Sequence, residues 1–417
     1  MTRTGRLVPQ LAAVFPHMRT FGPRMSSRFP SVASASHGSK RRIRRPILRA
    51  LRAWPAYRAL SRLPRNDVVG CEEYVSGGPG SDTFQRVFPG ARAAVRPPSQ
   101  DPGDGGRVLP EVAELEFPEA SVARLAGCRL YSRGVAVVGA DERLLAEGSV
   151  HIGGTPSDHA IMGRFWLPAA IHLPGTTVLL SAPAGATYYH WMYDVLPRIA
   201  LLRAARFDWK EADRIVVSSF RSPFQRETLE ILGVPVDKVV EGDSLRHASC
   251  ERLVLPSYPG TSGFPPLWAC RFLRESFLGA AEGTGDRRRR IYVSRARSRG
   301  RGVANETEVR AAAEKAGCET VFPEEMSVRG QAELFAASRA VVAPHGSGLA
   351  NLVFCAPGTF VLELFPPGFH ASHYWVLSRQ AGLAHRALVG SGTTLSEPNG
   401  NFRVDPGLLT AALATLG

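Results

Sequence analysis

Three short stretches of this chain hold residue types at spacings that could do chemistry. In the first, Tyr188-Tyr189-His190-Trp191-Met192-Tyr193-Asp194-Val195-Leu196-Pro197-Arg198, a histidine and an aspartate stand four residues apart. On a helix they share a face. A carboxylate beside an imidazole can take a proton from a hydroxyl or hold the ring in one tautomer. The same pair can equally be two buried polar groups that satisfy each other. Tyr188, Tyr189, Trp191 and Arg198 are candidate contacts for a sugar ring, against a core placement for Trp191 and Tyr193. In the second, Tyr292-Val293-Ser294-Arg295 reads as a strand that delivers a guanidinium to the edge of a sheet, and Arg suits bidentate contact with phosphate. The basic run Arg297 to Arg301 beyond it reads as a solvated loop. The third stretch is Val341-Val342-Ala343-Pro344-His345-Gly346-Ser347-Gly348-Leu349-Ala350-Asn351-Leu352. There an apolar strand breaks into small residues and resumes as a helix, so backbone N–H groups converge where an anion can sit. A plain strand-to-helix turn is the competing reading. Glu363, on the next strand, could accept hydrogen bonds from a sugar hydroxyl or cap a loop.

The elements that must position these residues change character along the chain. From Glu111 to about residue 175, short alternating runs predict a β-rich start, after a Gly/Pro-rich loop over 77–110. Strands are expected at Thr177–Leu180, Arg214–Val217 and Leu253–Leu255, and helices at Tyr188–Arg206, Phe224–Leu232 and Trp268–Ala281. In the second half, strands at Ile291–Val293, Glu319–Phe322, Ala340–Ala343 and Phe360–Phe365 alternate with helices at Glu306–Gly317, Gln331–Arg339, Gly348–Phe354 and Tyr374–Ala381; Asn305 is the expected N-cap of the first. Such alternation means a parallel sheet with right-handed crossovers, and ligands in such sheets sit beyond the carboxyl ends of the strands. Arg295, the His345–Gly348 turn and Glu363 all fall there. The fold class is therefore α/β, with a basic N-terminal tail at 1–65, a first lobe at 66–265 and a second lobe at 266–417.

Charge excludes one class of function. The 417 residues carry a net charge of +14, which resembles a nucleic-acid footprint. Residues 1–65, however, hold 15 Lys and Arg and no acid, leaving 36 basic and 37 acidic residues in the remainder, a net of −1. A basic body for gripping a phosphate backbone is absent, so no nucleic-acid partner is expected. Residues 1–40, rich in Arg, Ser and Pro, read as disordered, as a transit-type segment, or as lying upstream of a start at Met18 or Met25. Residues 41–63 put Ile47, Leu51, Trp54 and Leu60 near one face among arginines, with Pro55 as an interruption. That suits an anionic membrane surface or a solvated tail. The six cysteines show no C-x-x-C or metal spacing and read as isolated buried thiols of a reducing compartment. No apolar run is long enough for a membrane span, and Leu11–Phe15 is too short for a signal-peptide core. A cytoplasmic protein, peripheral at the inner face of the membrane if the basic segment docks, is the expectation.

Together, YYHWMYDVLPRIALL, YVSRARSRGRGVANETEV and VVAPHGSGLANLVFCAPGTFVLELF, in this order, resemble the family 61 glycosyltransferases over about residues 175–390. The resemblance implies two Rossmann-like lobes of the GT-B type, an inverting mechanism, a nucleotide-sugar donor as substrate with no cofactor, no obligatory metal, and a glycan acceptor, as in capsular or other cell-surface polysaccharide synthesis. A peripheral position would suit an acceptor carried on lipid. Absence of an Asp-x-Asp is consistent with metal independence. Carried over by motif, Arg295, Ser294, His345, Gly346, Ser347, Gly348, Asn351 and Glu363 would serve the donor. Asp194 would be the base, with His190 as its partner or substitute. A non-catalytic nucleotide- or glycan-binding protein on the same fold is the alternative. An esterase reading of His345-Gly346-Ser347-Gly348 fails, because the chain has no G-x-S-x-G elbow.

Overall fold

Six parallel strands build the sheet that carries the second and third stretches. Their order is Glu319–Val321, Arg289–Val293, Ser338–Pro344, Phe360–Phe365, Ala384–Val389 and Gln100–Asp101. In this computed structural model the described residues are 47–78, 80–94, 100–101, 114–131, 135–151, 154–260, 264–279, 287–298, 300–369, 371–392 and 400–414. The readings made above for residues 1–46 lie outside them. Residues 44–417 form one compact unit. The central strands are apolar without alternation, and Val341, Val342, Leu362 and Leu364 are each 0 % exposed. That is the signature of a sheet covered on both faces. One edge strand, Gln100–Asp101, comes from far earlier in the chain, so this sheet is not drawn from residues 266–417 alone.

A second sheet of ten strands has a parallel centre. Val239–Glu241, Arg214–Val217, Ile171–Leu179 and Ala248–Pro256 lie side by side in that order. Antiparallel strands, among them Ala120–Ala126 and Arg129–Tyr131, then extend it beyond Ala248–Pro256. The β-rich start is thus present, but it begins earlier than expected. Thr83–Phe88, within the stretch read as loop, pairs antiparallel with Ala120–Ala126. Its partner lies some forty residues away, and Phe88 stacks on Trp268 with ring centroids 4.5 Å apart. Local composition cannot show either contact.

Between two neighbouring strands of this second sheet, Ile171–Leu179 and Arg214–Val217, the segments Tyr188–His190, Trp191–Val195 and Pro197–Ala204 run on as one helical stretch. Pro197 has no N–H to donate, and its ring excludes the carbonyl one turn back. The ladder widens there into a π turn, with the Leu196 N–H donating to the Trp191 carbonyl at 3.0 Å. Trp191, Met192, Tyr193, Val195, Leu196, Ile199 and Leu201 are all at most 1 % exposed, so the stretch is core on nearly every side. The polar His190, Asp194 and Arg198 are the exceptions that need an account.

Several local expectations are corrected. The helix expected at 331–339 is Val328–Ala336, capped by Ser327, whose hydroxyl accepts from the Gly330 N–H at 3.0 Å; Arg339 already belongs to the strand. Asn305 does not cap the helix Glu306–Lys315. Its amide is engaged by Val404, donating to that carbonyl at 2.8 Å and accepting from that N–H at 3.0 Å. Residues 47–65 are not a loose tail. Residues 47–53 and Pro55–Ser61 are helical, broken at Trp54 as Pro55 requires, and Leu48, Tyr57 and Leu63 are buried. Arg52, 1 % exposed, anchors the first helix by donating to the Ile161 and Arg164 carbonyls at 2.8 and 3.2 Å. All six cysteines are buried free thiols.

Candidate functional site

The strand Arg289–Val293 ends one side of an opening at the carboxyl edge of the parallel sheet, and the strand Ser338–Pro344 ends the other. Arg295, two residues beyond the first strand, lays its guanidinium directly over Gly346; a Cβ there would land on Nη1. Gly346 is extended, so it is the close approach of Arg295, rather than backbone conformation, that requires glycine. Arg295 donates from Nη2 to the Gly300 carbonyl at 3.0 Å; among the described residues its buried Nε has no partner and no carboxylate stands within ion-pair reach. Arg301 joins it, with its guanidinium 5.1 Å from the Phe369 ring centroid. Burial lowers the pKa of both, and Arg301 lowers that of Arg295 further. Two cations crowded over the start of the helix Ser347–Phe354, whose first N–H groups have no partner within that helix, form a corner that an anion would stabilise.

Behind this corner lies a buried polar chain. His345 Nδ1 and Glu363 Oε1 are 2.5 Å apart, and Glu363 Oε2 lies 3.1 Å from His385 Nε2. The first is a hydrogen bond. The second is an ion-pair distance without hydrogen-bond alignment, and among the described residues both of its atoms lack another partner. His385 Nδ1 in turn meets Ser378 Oγ at 2.8 Å. Register explains the grouping. Glu363 pairs with Ala343 and Ala387, while His385 pairs with Val361, so Glu363, His385 and His345 share one sheet face. Small neighbours leave room for the carboxylate among residues otherwise fully covered. Burial pushes the Glu363 carboxyl up, but His345 and His385 outweigh it and hold it below its ordinary value. Burial lowers His345 despite that carboxylate.

The other pair sits on the helical stretch. His190 Nδ1 and Asp194 Oδ2 are 2.6 Å apart, with side chains 22 % and 7 % exposed. The ring is the accessible member and the carboxylate the covered one. Aromatic contacts link the two pairs. Tyr189 meets His190, His373 and Tyr374 at centroid distances of 5.4, 5.8 and 5.5 Å. His345 meets Phe369, Tyr374 and His373 at 4.8, 5.0 and 6.5 Å. His373 is lowered to about 4 by burial first and then by His345, with His190 and Arg301 adding to the effect and Glu363 opposing it. The three sequence stretches therefore meet at one place.

Not every expected residue faces that place. Ser294, 3 % exposed, donates to Glu306 at 2.6 Å and shapes the turn that aims Arg295. Asn351, 0 % exposed, accepts from the Tyr188 hydroxyl at 2.8 Å and donates to Gln331 at 2.7 Å, so both Asn351 and Tyr188 tie the helical stretch to the parallel-sheet region. Trp191 is core, donating to Thr228 at 2.8 Å. Arg198 is buried, with a pKa lowered to about 10, and it holds the Pro256 and Ser181 carbonyls. Glu363 is too deep for a sugar hydroxyl and acts behind His345. Ser347 and Gly348 remain at the partly open turn, where a Cβ on Gly348 would press on Val293. Sequence reasoning missed Arg301, Phe369, His373, Tyr374 and His385. Arg301 was visible within the basic run, but nothing in that run separates it from its solvated neighbours.

Residues 188–362 match the sequence model of the family described as Glycosyltransferase 61. The match takes in the helical stretch, Arg295, Arg301 and the His345–Asn351 turn, and stops one residue short of Glu363. No curated protein matches the chain. Among the described residues no helix is long and apolar enough to cross a membrane.

Proposed function

From the chain's membership of glycosyltransferase family 61, carried by residues 188–362, we propose an inverting transfer of a sugar from a nucleotide-sugar donor to a glycan hydroxyl, in the synthesis of a cell-surface polysaccharide such as a capsule. We read the two sheets as the two lobes of a GT-B enzyme. The observation that carries the proposal is the meeting of an anion corner and a His–carboxylate pair on opposite ends of one aromatic strip.

Inversion is a single in-line displacement. The acceptor oxygen forms a bond to the anomeric carbon as the bond from that carbon to the diphosphate oxygen breaks, and its electron pair leaves with the diphosphate. The acceptor proton must go to a base. His190 is the better-placed base, because its ring is the more exposed member of the pair while Asp194 is covered and engages Nδ1; the proton would go to Nε2. Asp194 then fixes the tautomer and stabilises the imidazolium. This reverses the order expected from sequence. The charge that develops on the leaving diphosphate would be met by Arg295, Arg301 and the N–H groups of Gly346 to Gly348. These cations and dipoles can supply what a metal supplies elsewhere, which supports a metal-independent reaction.

The test is a thermal-shift screen against UDP, GDP, CMP and their sugar conjugates, with and without EDTA, followed by turnover with the responding donor. A folded-state ligand raises stability as ln(1 + [L]/Kd). We expect one nucleotide class to stabilise the protein, undiminished by EDTA, and Arg295→Ala to cost about 2–4 kcal/mol of transition-state stabilisation. Unchanged kcat/KM in Arg295→Ala would remove the anion corner from the mechanism, and binding without turnover would leave a non-catalytic binding protein.

A further inference from the structure

We infer that residues 47–62, together with Trp166, dock the protein on an anionic lipid surface. The inference is independent of the reaction proposed above. In the first helix, Leu48 and Arg52 turn inward, and Arg52 is pinned to the loop over residues 161–164. Ile47, in that helix, and Trp54, in the break that follows it, are exposed at 44 % and 47 %. In the next helix Leu60 is 47 % exposed. Trp166 is brought beside it, because the Leu167 N–H donates to the Ser61 carbonyl at 2.8 Å and the Tyr57 hydroxyl to the Phe165 carbonyl at 2.7 Å. Trp166 itself is 67 % exposed, an unusual position for indole on a water-facing surface. Alanines 50, 53, 56 and 59 and Pro55 fill the surface between these side chains, and all five are exposed.

Charge decides what covers this face. Arg49, Arg62, Arg65 and Arg164 are exposed around it, and residues 1–66 contain no acid. A second copy would bring the same arginines against these, and like charges would oppose the contact. Residues 1–46 hold ten Lys and Arg and no acid, so the chain's own N-terminal segment is repelled in the same way. The partner must be anionic and must also accept two indoles and two aliphatic side chains. A lipid interface has both properties: acidic headgroups for the arginines, and a headgroup–acyl boundary where Trp is favoured. In sequence the basic run Lys40 to Arg45 lies just before Ile47, and its charge would add to the attraction.

The test is co-sedimentation of the full chain with phosphatidylcholine vesicles, with and without phosphatidylglycerol. Three proteins are compared: wild type, Trp54→Glu/Trp166→Glu, and Trp54→Phe/Trp166→Phe. We expect wild type to bind only the anionic vesicles, the phenylalanine pair to bind nearly as well, and the glutamate pair to bind about tenfold less. Both sites are exposed, so the glutamate pair should melt with wild type. If it does not, quenching of tryptophan emission by brominated anionic lipid, present in wild type and lost in the phenylalanine pair, reads insertion directly. No binding to anionic vesicles overturns the inference. Undiminished binding of a folded glutamate pair would assign the affinity to the basic N-terminal run alone, and a dimer that the glutamate pair dissociates would assign the face to a second copy; either result also overturns it.

Discussion

His190–Asp194 and His345–Glu363 place the same two functional groups at nearly the same separation, 2.6 and 2.5 Å, in opposite surroundings. The first pair stands on one helix, four residues apart, and its imidazole reaches solvent. The second bridges neighbouring strands, and its carboxylate is 1 % exposed with a second histidine beyond it. The difference teaches that a His–carboxylate pair carries no fixed role. An accessible ring backed by a covered carboxylate can exchange a proton with an incoming hydroxyl. A pair sealed in a sheet can do little chemistry itself, but it can hold one ring, and the turn that ring begins, in a fixed place. We therefore assign proton transfer to the first pair and positioning of the donor turn to the second.

The comparison breaks most visibly at Asp194. Asp194→Asn should keep the ring near its place but offer it the wrong tautomer. We expect turnover to fall by about 10²–10⁴, the usual size of a general acid–base contribution, while the thermal shift caused by the donor nucleotide persists. A variant that turns over normally would show that the helix pair is as structural as the sheet pair.

Glu363→Gln should act in the other currency. It leaves His345 and His385 without the buried carboxylate that accepts from one and faces the other, and removing one member of a buried pair costs about 3 kcal/mol. Urea unfolding should register this loss at neutral pH. The folded-state pKa of Glu363 is depressed, so its stabilisation is present above the ordinary carboxyl value of 4.5 and is lost as pH falls through the lower folded value. The gap between wild type and Glu363→Gln should accordingly close in acid. A gap that is flat with pH, or a variant as stable as wild type, would deny the sheet pair its structural role.

Sequence made the first pair legible and hid the second for a geometric reason. Four residues on a helix is a fixed displacement, so His190 and Asp194 could be paired on paper. His345, Glu363 and His385 are 18 and 22 residues apart, and only the register of three strands brings them together. The strands themselves were readable, since Phe360–Phe365 and Arg214–Val217 fall where their apolar runs place them. The site's cationic character was readable as well, through Arg295 and the glycine turn. What stayed hidden was whatever depends on a loop's path: Arg301 beside Arg295, Phe369 against His345, and the burial of Arg52 among carbonyls more than a hundred residues away. Composition also misled where a polar residue had a private partner. Ser294, Asn351 and Arg198 have the types of ligand-binding residues, yet each is used up by Glu306, Gln331 and backbone carbonyls.

His373 stands between the two pairs and offers the smallest and most direct measure of how closely they approach. Its folded pKa is lowered to about 4 from an ordinary 6.5, by burial first and His345 second, with smaller contributions from His190 and Arg301 and an opposing pull from Glu363. A histidine kept neutral in the folded state takes up its proton more readily when unfolded. Protonation therefore costs folding stability as pH drops below 6.5, and the loss levels off once pH is below about 4. His345, lowered in the same direction, contributes over the same side of the scale. Replacing His373 by Gln should flatten, without abolishing, the decline of the urea midpoint across this window, since His345 and His247, both lowered by burial, still contribute. Equal slopes for His373→Gln and wild type would mean that His373 titrates as an ordinary histidine. The aromatic strip would then be open enough to water that the helix pair and the sheet pair no longer share one low-dielectric site.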